Sequence, residues 1–135
     1  MALAQVGGGY QLGDGNVNEI RLGASAAPQT ATSTATLTAA QILGNMLVAN
    51  PSTSAATYTL PTASAIDTAL GNAKVGSTFD LFIVNTGTSS GTVTLSMGTG
   101  ITDGGNAAVA IAITSSALFR FRKTDAGAYT VYKTA

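Results

Sequence analysis

Apolar side chains in this chain recur mainly at every second residue. Phe79, Leu81 and Ile83 alternate with Asp80, Phe82 and Val84 over Thr78–Asn85; Val93, Leu95 and Met97 do so over Thr92–Met97; and Val109, Ile111 and Ile113 repeat the spacing. Leu118–Arg122 and Tyr129–Lys133 add two more runs, and Met46–Ala49 and Thr57–Leu60 are shorter ones, the latter with Tyr58 and Leu60 on one side. A period of two is the signature of half-buried strands. Thr86–Gly91, Gly98–Gly100, Asp103–Asn106 and Asp125–Gly127 separate the runs with turn residues. Short strands at this spacing predict an all-β fold, an antiparallel β-sandwich of jelly-roll type. No internal repeat of solenoid length stands out.

The helical period surfaces only briefly. Thr38-Ala39-Ala40-Gln41 fits a capping box, in which the Thr hydroxyl and the Gln amide three residues on satisfy free backbone amides, and Gly44 stops the turn. Pro61 and Thr62 open a second helix through about Leu70, which sets Ile66 and Leu70 one turn apart and closes at Gly71. One or two short helices are therefore expected beside the strands.

Residues 1–36 read differently. Gly7-Gly8-Gly9, the Gly13-Asp14-Gly15 turn and the Ala, Ser and Thr stretch from Ala24 to Ala35 cannot build a core. Tyr10 and Leu12, then Ile20 and Leu22, supply apolar anchors at strand spacing. The expectation is an extended N-terminal arm over 1–36 that contacts a partner through Tyr10, Leu12, Ile20 and Leu22, followed by a body over 37–135.

Composition narrows the chemistry. Charged residues make up 9% of the 135, six of each sign, and there is no His, Cys or Trp in the chain. An average soluble domain carries about 25% charge, so hydroxyls, amides and methyls stand where Lys and Glu usually keep molecules apart. Near zero net charge association is the default. The same neutrality argues against nucleic acid as a partner, since that affinity rests on clustered cations, and the only basic cluster is Arg120, Arg122 and Lys123. The start Met1-Ala-Leu-Ala-Gln lacks the basic and apolar regions of a secretory signal. The longest apolar run, Ala107–Ile113, falls short of the ~20 residues of a membrane helix. A soluble protein made in the cytoplasm, with neither a membrane nor a small-molecule substrate as partner, is expected.

Two strings and one scattered set of carboxylates imitate functional chemistry. Asp14-Gly15-Asn16-Val17-Asn18-Glu19 begins like a calcium loop, yet Glu19 stands where the loop needs Gly and Ser25 where it needs a bidentate Glu; a polar turn is the better reading. Gly98-Thr99-Gly100-Ile101-Thr102-Asp103 begins like a dinucleotide loop but places a carboxylate at the third glycine, so a hairpin connection is expected. Asp14, Asp67, Asp80, Asp103 and Asp125 are scattered, several in turn contexts, and no His is present to activate a Ser or Thr. Neither an enzyme nor a metal or cofactor site is expected.

Phe119, Arg120, Phe121 and Arg122 alternate, which gives one strand an aromatic face and a guanidinium face. Arginine tolerates interface burial and pairs bidentately with carboxylates, so these four residues are the candidates for a subunit or partner contact, against a plain solvated face. Tyr10, Tyr58, Tyr129 and Tyr132 suggest a sugar-stacking platform less well than they suggest core and interface roles.

Several stretches resemble the decoration, cement or head-fibre proteins of tailed-bacteriophage heads. They are Gln5-Val6-Gly7-Gly8-Gly9 with Gln11–Asn16, Tyr58–Ala63, Val75–Asp80 running into Ile83–Thr86, and Phe119–Thr124 with Tyr129–Tyr132. The resemblance implies a homotrimer of sandwich or jelly-roll subunits on the outer surface of the virion, bridging capsomers of the major capsid protein, with no catalytic or cofactor residue. A host-adhesion or glycan-binding domain of a head or tail fibre is the alternative; such a domain would more usually continue from a longer shaft.

Overall fold

The computed structural model describes residues 24–135. In chain order the elements are β1 (Gln29–Ala31), β2 (Ala35–Thr36), α1 (Ala39–Leu43), β3 (Met46–Ala49), β4 (Ala56–Thr59), α2 (Ala63–Leu70), β5 (Thr78–Asn85), β6 (Val93–Ser96), β7 (Ile101–Gly105), β8 (Ser115–Asp125) and β9 (Ala128–Lys133). They form a six-stranded sheet in the order β1-β3-β5-β8-β9-β7 and a three-stranded sheet in the order β2-β4-β6. The fold is β-rich with two short helices, as the alternation predicted.

The strand directions are not those of an antiparallel sandwich. Among the described strands only β5–β8 and β8–β9 pair antiparallel. β1–β3, β3–β5 and β7–β9 are parallel, and the small sheet is parallel throughout. From β1 to β6 the chain visits the large and small sheets alternately, so each strand from β3 to β6 lies beside one a full circuit earlier. Parallel neighbours need a long return, and here the return passes through the opposite sheet. α1 and α2 occupy equivalent returns from the small sheet to the large one, and they pack on each other.

This winding corrects the expectation of no internal repeat. Thr36-Leu37-Thr38-Ala39 before α1 matches Thr59-Leu60-Pro61-Thr62-Ala63 before α2, and Leu43-Gly44-Asn45 matches Leu70-Gly71-Asn72 behind them. The matched residues do matched work. The Thr38 hydroxyl accepts from the Gln41 amide in a complete capping box, and the Thr62 hydroxyl accepts from the Ala65 amide. Ile42 and Ile66 are buried, and the Gly44 and Gly71 amides close the C-termini onto Ala40 and Asp67. The Leu37 amide donates to Thr59 O at 2.8 Å and the Leu60 amide to Ser96 O at 2.9 Å, so both linkers extend the same ladder.

Residues 29–36 belong to the body, since β1 and β2 pair in the two sheets. The expected boundary after residue 36 therefore moves back to before Gln29. Val109–Ile113 is not a strand; Ile111 alone bridges to Val93. Conversely Asp103-Gly104-Gly105, expected as a turn, lies within β7, where a bulge shifts the register against β9. A Cβ on Gly104 would stand 2.4 Å from Thr130 Cγ2 and 2.5 Å from the Tyr132 ring, so the glycine is there because Tyr132 lies across it.

One core fills the space between the sheets and helices. The large sheet contributes Leu47, Leu81, Ile83, Phe119, Phe121 and Val131, the small sheet Tyr58, Val93 and Leu95, and the helices Ile42 and Ile66. At one end Asn85 is buried; its Nδ2 lies 2.9–3.1 Å from the carbonyls of Gly91, Ile111 and Ala112, and its Oδ1 accepts from the Gly87 amide at 2.8 Å. A single amide thus satisfies loop groups that burial would otherwise leave unpaired.

Candidate functional site

Alternation along β8 divides the four predicted contact residues between two environments. Phe119 and Phe121 point into the core and are fully buried within the one chain, which corrects their assignment to a partner contact. Phe121 stacks on Phe79, directly opposite in register, with ring centroids 4.7 Å apart, and Tyr129 meets Phe79 edge-on. These rings are needed where they are.

Arg120 and Arg122 face outward. Arg120 lies opposite Asp80 on β5 and grips it with Nε on Oδ1 at 2.8 Å and a terminal nitrogen on Oδ2 at 3.0 Å. The Arg120 hydrogen bond holds the Asp80 carboxyl below its ordinary range. Arg122 stands between Thr78 and Thr130, with no ion pair among the described residues.

Beside that pair the outer face of the large sheet is apolar. Met46, Phe82 and Leu118 are directly opposed on β3, β5 and β8; Val48 and Val84 form the next row, and Tyr132 stands opposite Arg120 on β9. Met46 is 36% exposed, Phe82 41% and Tyr132 36%. Water-facing strand positions are ordinarily polar. The alternation displayed Phe82 and Val84 on this side, but their accumulation with Met46 and Leu118 follows from strand order, which no local pattern reveals.

The other side-chain carboxylates among the described residues are committed within the molecule. Asp67 on α2 accepts from Lys123 Nζ and, at 2.7 Å, from the Tyr129 hydroxyl, while its second oxygen takes the Gly127 amide at 2.8 Å. The Lys123 hydrogen bond first, then those of Tyr129 and Gly127, lowers the Asp67 carboxyl to about 2. Burial, and next the bond to Asp67, raises the Tyr129 phenol. The cluster fastens α2 to the β8–β9 hairpin. Asp103 accepts from the amides of Gly105, Ala107 and Ala108, led by Ala107 in lowering its carboxyl. Asp125 takes the Ala126 amide at 2.7 Å.

The remaining motifs resolve into architecture. Gly98-Thr99-Gly100 carries the chain from the small sheet to the large one, which corrects the expected hairpin. A Cβ on Gly98 would sit 2.3 Å from Leu60 O, and the Ala63 amide donates to Thr99 O at 2.9 Å, so this crossing packs on the start of α2. Tyr58 is buried and its hydroxyl donates to Thr32 O at 2.6 Å; Tyr129 is buried as well, and neither offers a face to a sugar. A cleft of about 370 Å³ at the end of β5 and β8 is lined by Val84, Asn85, Thr86, Thr114, Ser115 and Ser116, which bring hydroxyls and methyls but no ionisable group. Among the described residues no three His, Cys, Asp or Glu side chains converge, and no helix is long and apolar enough to cross a membrane. Tyr10, Leu12, Ile20 and Leu22, Tyr10's place in a platform, and the Asp14–Glu19 string lie outside the described residues. The chain matches no protein-family model, no curated protein and no solved structure.

Proposed function

We propose that this chain is a structural virion protein, a homotrimeric decoration protein that binds the outside of a tailed-bacteriophage head and clamps neighbouring capsomers of the major capsid protein. The body is read as a sandwich-like pair of sheets. One observation carries the reading: each aspartate among the described residues is engaged by an internal amide, hydroxyl or cation, so the surface offers hydroxyls, methyls, an apolar sheet face and a few cations such as Arg122, but no free side-chain carboxylate among those residues. Such a surface suits standing contact rather than turnover. The resemblance of Tyr58–Ala63, Val75–Asp80 and Phe119–Thr124 to head decoration proteins gives that contact its address.

The mechanism is a non-covalent clamp. The segment ahead of Gln29 lays its backbone along a strand edge of the capsid protein while Leu12, Ile20 and Leu22 fill pockets. Three such segments on one trimer make the second and third contacts effectively intramolecular, so weak contacts add up to long residence. The truncation that tests this has to stop before β1, because Gln29–Ala31 pairs with β3. A chain lacking residues 1–28 is expected to stay folded and oligomeric yet remain in the supernatant when sedimented with heads of the phage that encodes it, while the full chain pellets with them. Equal pelleting of both overturns the role of the segment; a full chain that never pellets overturns the function.

A further inference from the structure

We propose that the outer face of the six-stranded sheet is the surface through which copies of this chain associate, with the Met46–Phe82–Leu118 row at its centre. The inference deepens the assembly reading above and rests on it for the number of copies, but its test involves no phage shell. The three side chains oppose one another across β3, β5 and β8, and Val84 and Tyr132 continue the apolar surface on either side. Met46, Phe82 and Tyr132 each leave more than a third of their surface in water. An apolar cluster on the open face of a sheet marks a contact surface.

Charge selects a second copy as the occupant. Asp80 and Arg120 neutralise each other within the face, which leaves Arg122 as its one uncommitted ionic group among those described. An acidic partner would find one cation, and a basic partner would find none of its complement. Copies of a chain with six charges of each sign meet without net repulsion. Asp80 of one copy can exchange its bidentate partner for Arg120 of the next, so the ionic row is self-complementary. Size agrees with this. Six strands at about 4.8 Å spacing and a β5 of about 27 Å bound a face of the order of the ~800 Å² that each partner gives to a stable contact. Three such faces turned towards a common axis close a ring with no edge left to propagate.

The test reads oligomeric mass by sedimentation equilibrium on the full chain. Phe82→Glu is expected to weaken association at least 100-fold with circular dichroism unchanged, and Val75→Glu, at an apolar side chain 62% exposed in the return after α2, to leave it within twofold. The chain contains no cysteine, so Phe82→Cys treated with a short bismaleimide provides a second readout that does not depend on tolerating a charge. Cross-linked copies for Phe82→Cys and none for Val75→Cys support the face. A folded Phe82→Glu protein with wild-type mass, or cross-linking at Val75 and not at Phe82, overturns the face and leaves head binding to be judged by its own pelleting. A wild-type chain that is monomeric at high concentration overturns the face and the trimer together.

Discussion

The wound part of the molecule, from β1 to β6, and the β8–β9 hairpin meet in one large sheet but are built on opposite terms. In the wound part the strands are two to eight residues long, and each pairs with a strand far away in sequence. In the hairpin an eleven-residue strand turns at Asp125-Ala126-Gly127 and pairs with the next six-residue one. Closing a distant contact costs chain entropy that a tight turn avoids. The hairpin can therefore form its register locally, whereas the wound part acquires its own only when caps, returns and core agree. What joins them is the broad β5–β8 ladder and the Asp67 cluster between α2 and the hairpin.

The largest expected effect breaks the side the two regions share. Phe121→Ala removes a fully buried ring stacked on Phe79, and chemical denaturation should show a loss of about 3–5 kcal/mol, as for other buried aromatic truncations. Asn85→Ala comes next, because it strands the carbonyls of Gly91 and Ala112 and the Gly87 amide and leaves Ile111 O only its bond from the Val93 amide; a loss of about 2–3 kcal/mol is expected, with hydrogen exchange quickened first around Gly87–Gly91. Smaller still are the caps of the wound part. Thr38→Ala and Thr62→Ala should each cost about 1 kcal/mol, and the double variant should show whether the neighbouring helices α1 and α2 respond independently.

The last effect appears only in acid. A carboxyl lowered to about 2 in the folded chain contributes stability that is complete above the ordinary carboxylate range and is lost as pH falls towards 2. Denaturation midpoints should therefore drop between about pH 4 and pH 2 in the wild type. In Asp67→Asn that part of the slope should be missing, leaving the smaller share from Asp80 and Asp103, whose carboxyls are lowered too.

The same contrast explains what was legible in the sequence. The hairpin could be read because its turn and both alternating runs are contiguous, and the caps at Thr38 and Thr62 because capping is a matter of three or four residues. The parallel ladders could not, since alternation tells which face a residue takes and nothing about the direction of its neighbour. The repeat around the two helices was obscured by length: α1 has five residues and α2 eight, and Pro61 interrupts the second copy. Asp103-Gly104-Gly105 resembled a turn because the reason for Gly104, the Tyr132 ring, lies on another strand. In the candidate contact, β8 revealed that Phe119 and Phe121 part company with Arg120 and Arg122. It did not reveal which side is the inside, nor that Asp80 would be waiting opposite Arg120.

The two helical returns differ in length while the strands they join keep step, so that corner of the fold tolerates extra chain. Beyond the Gly71 cap, Gly71 and Asn72 are open to solvent, and the next fixed points are the Lys74 amide on the Ser77 hydroxyl and the Gly76 amide on Lys123 O. A foreign peptide spliced between Asn72 and Lys74 would hang outside both sheets, and under the proposed decoration role each bound subunit would display that cargo once.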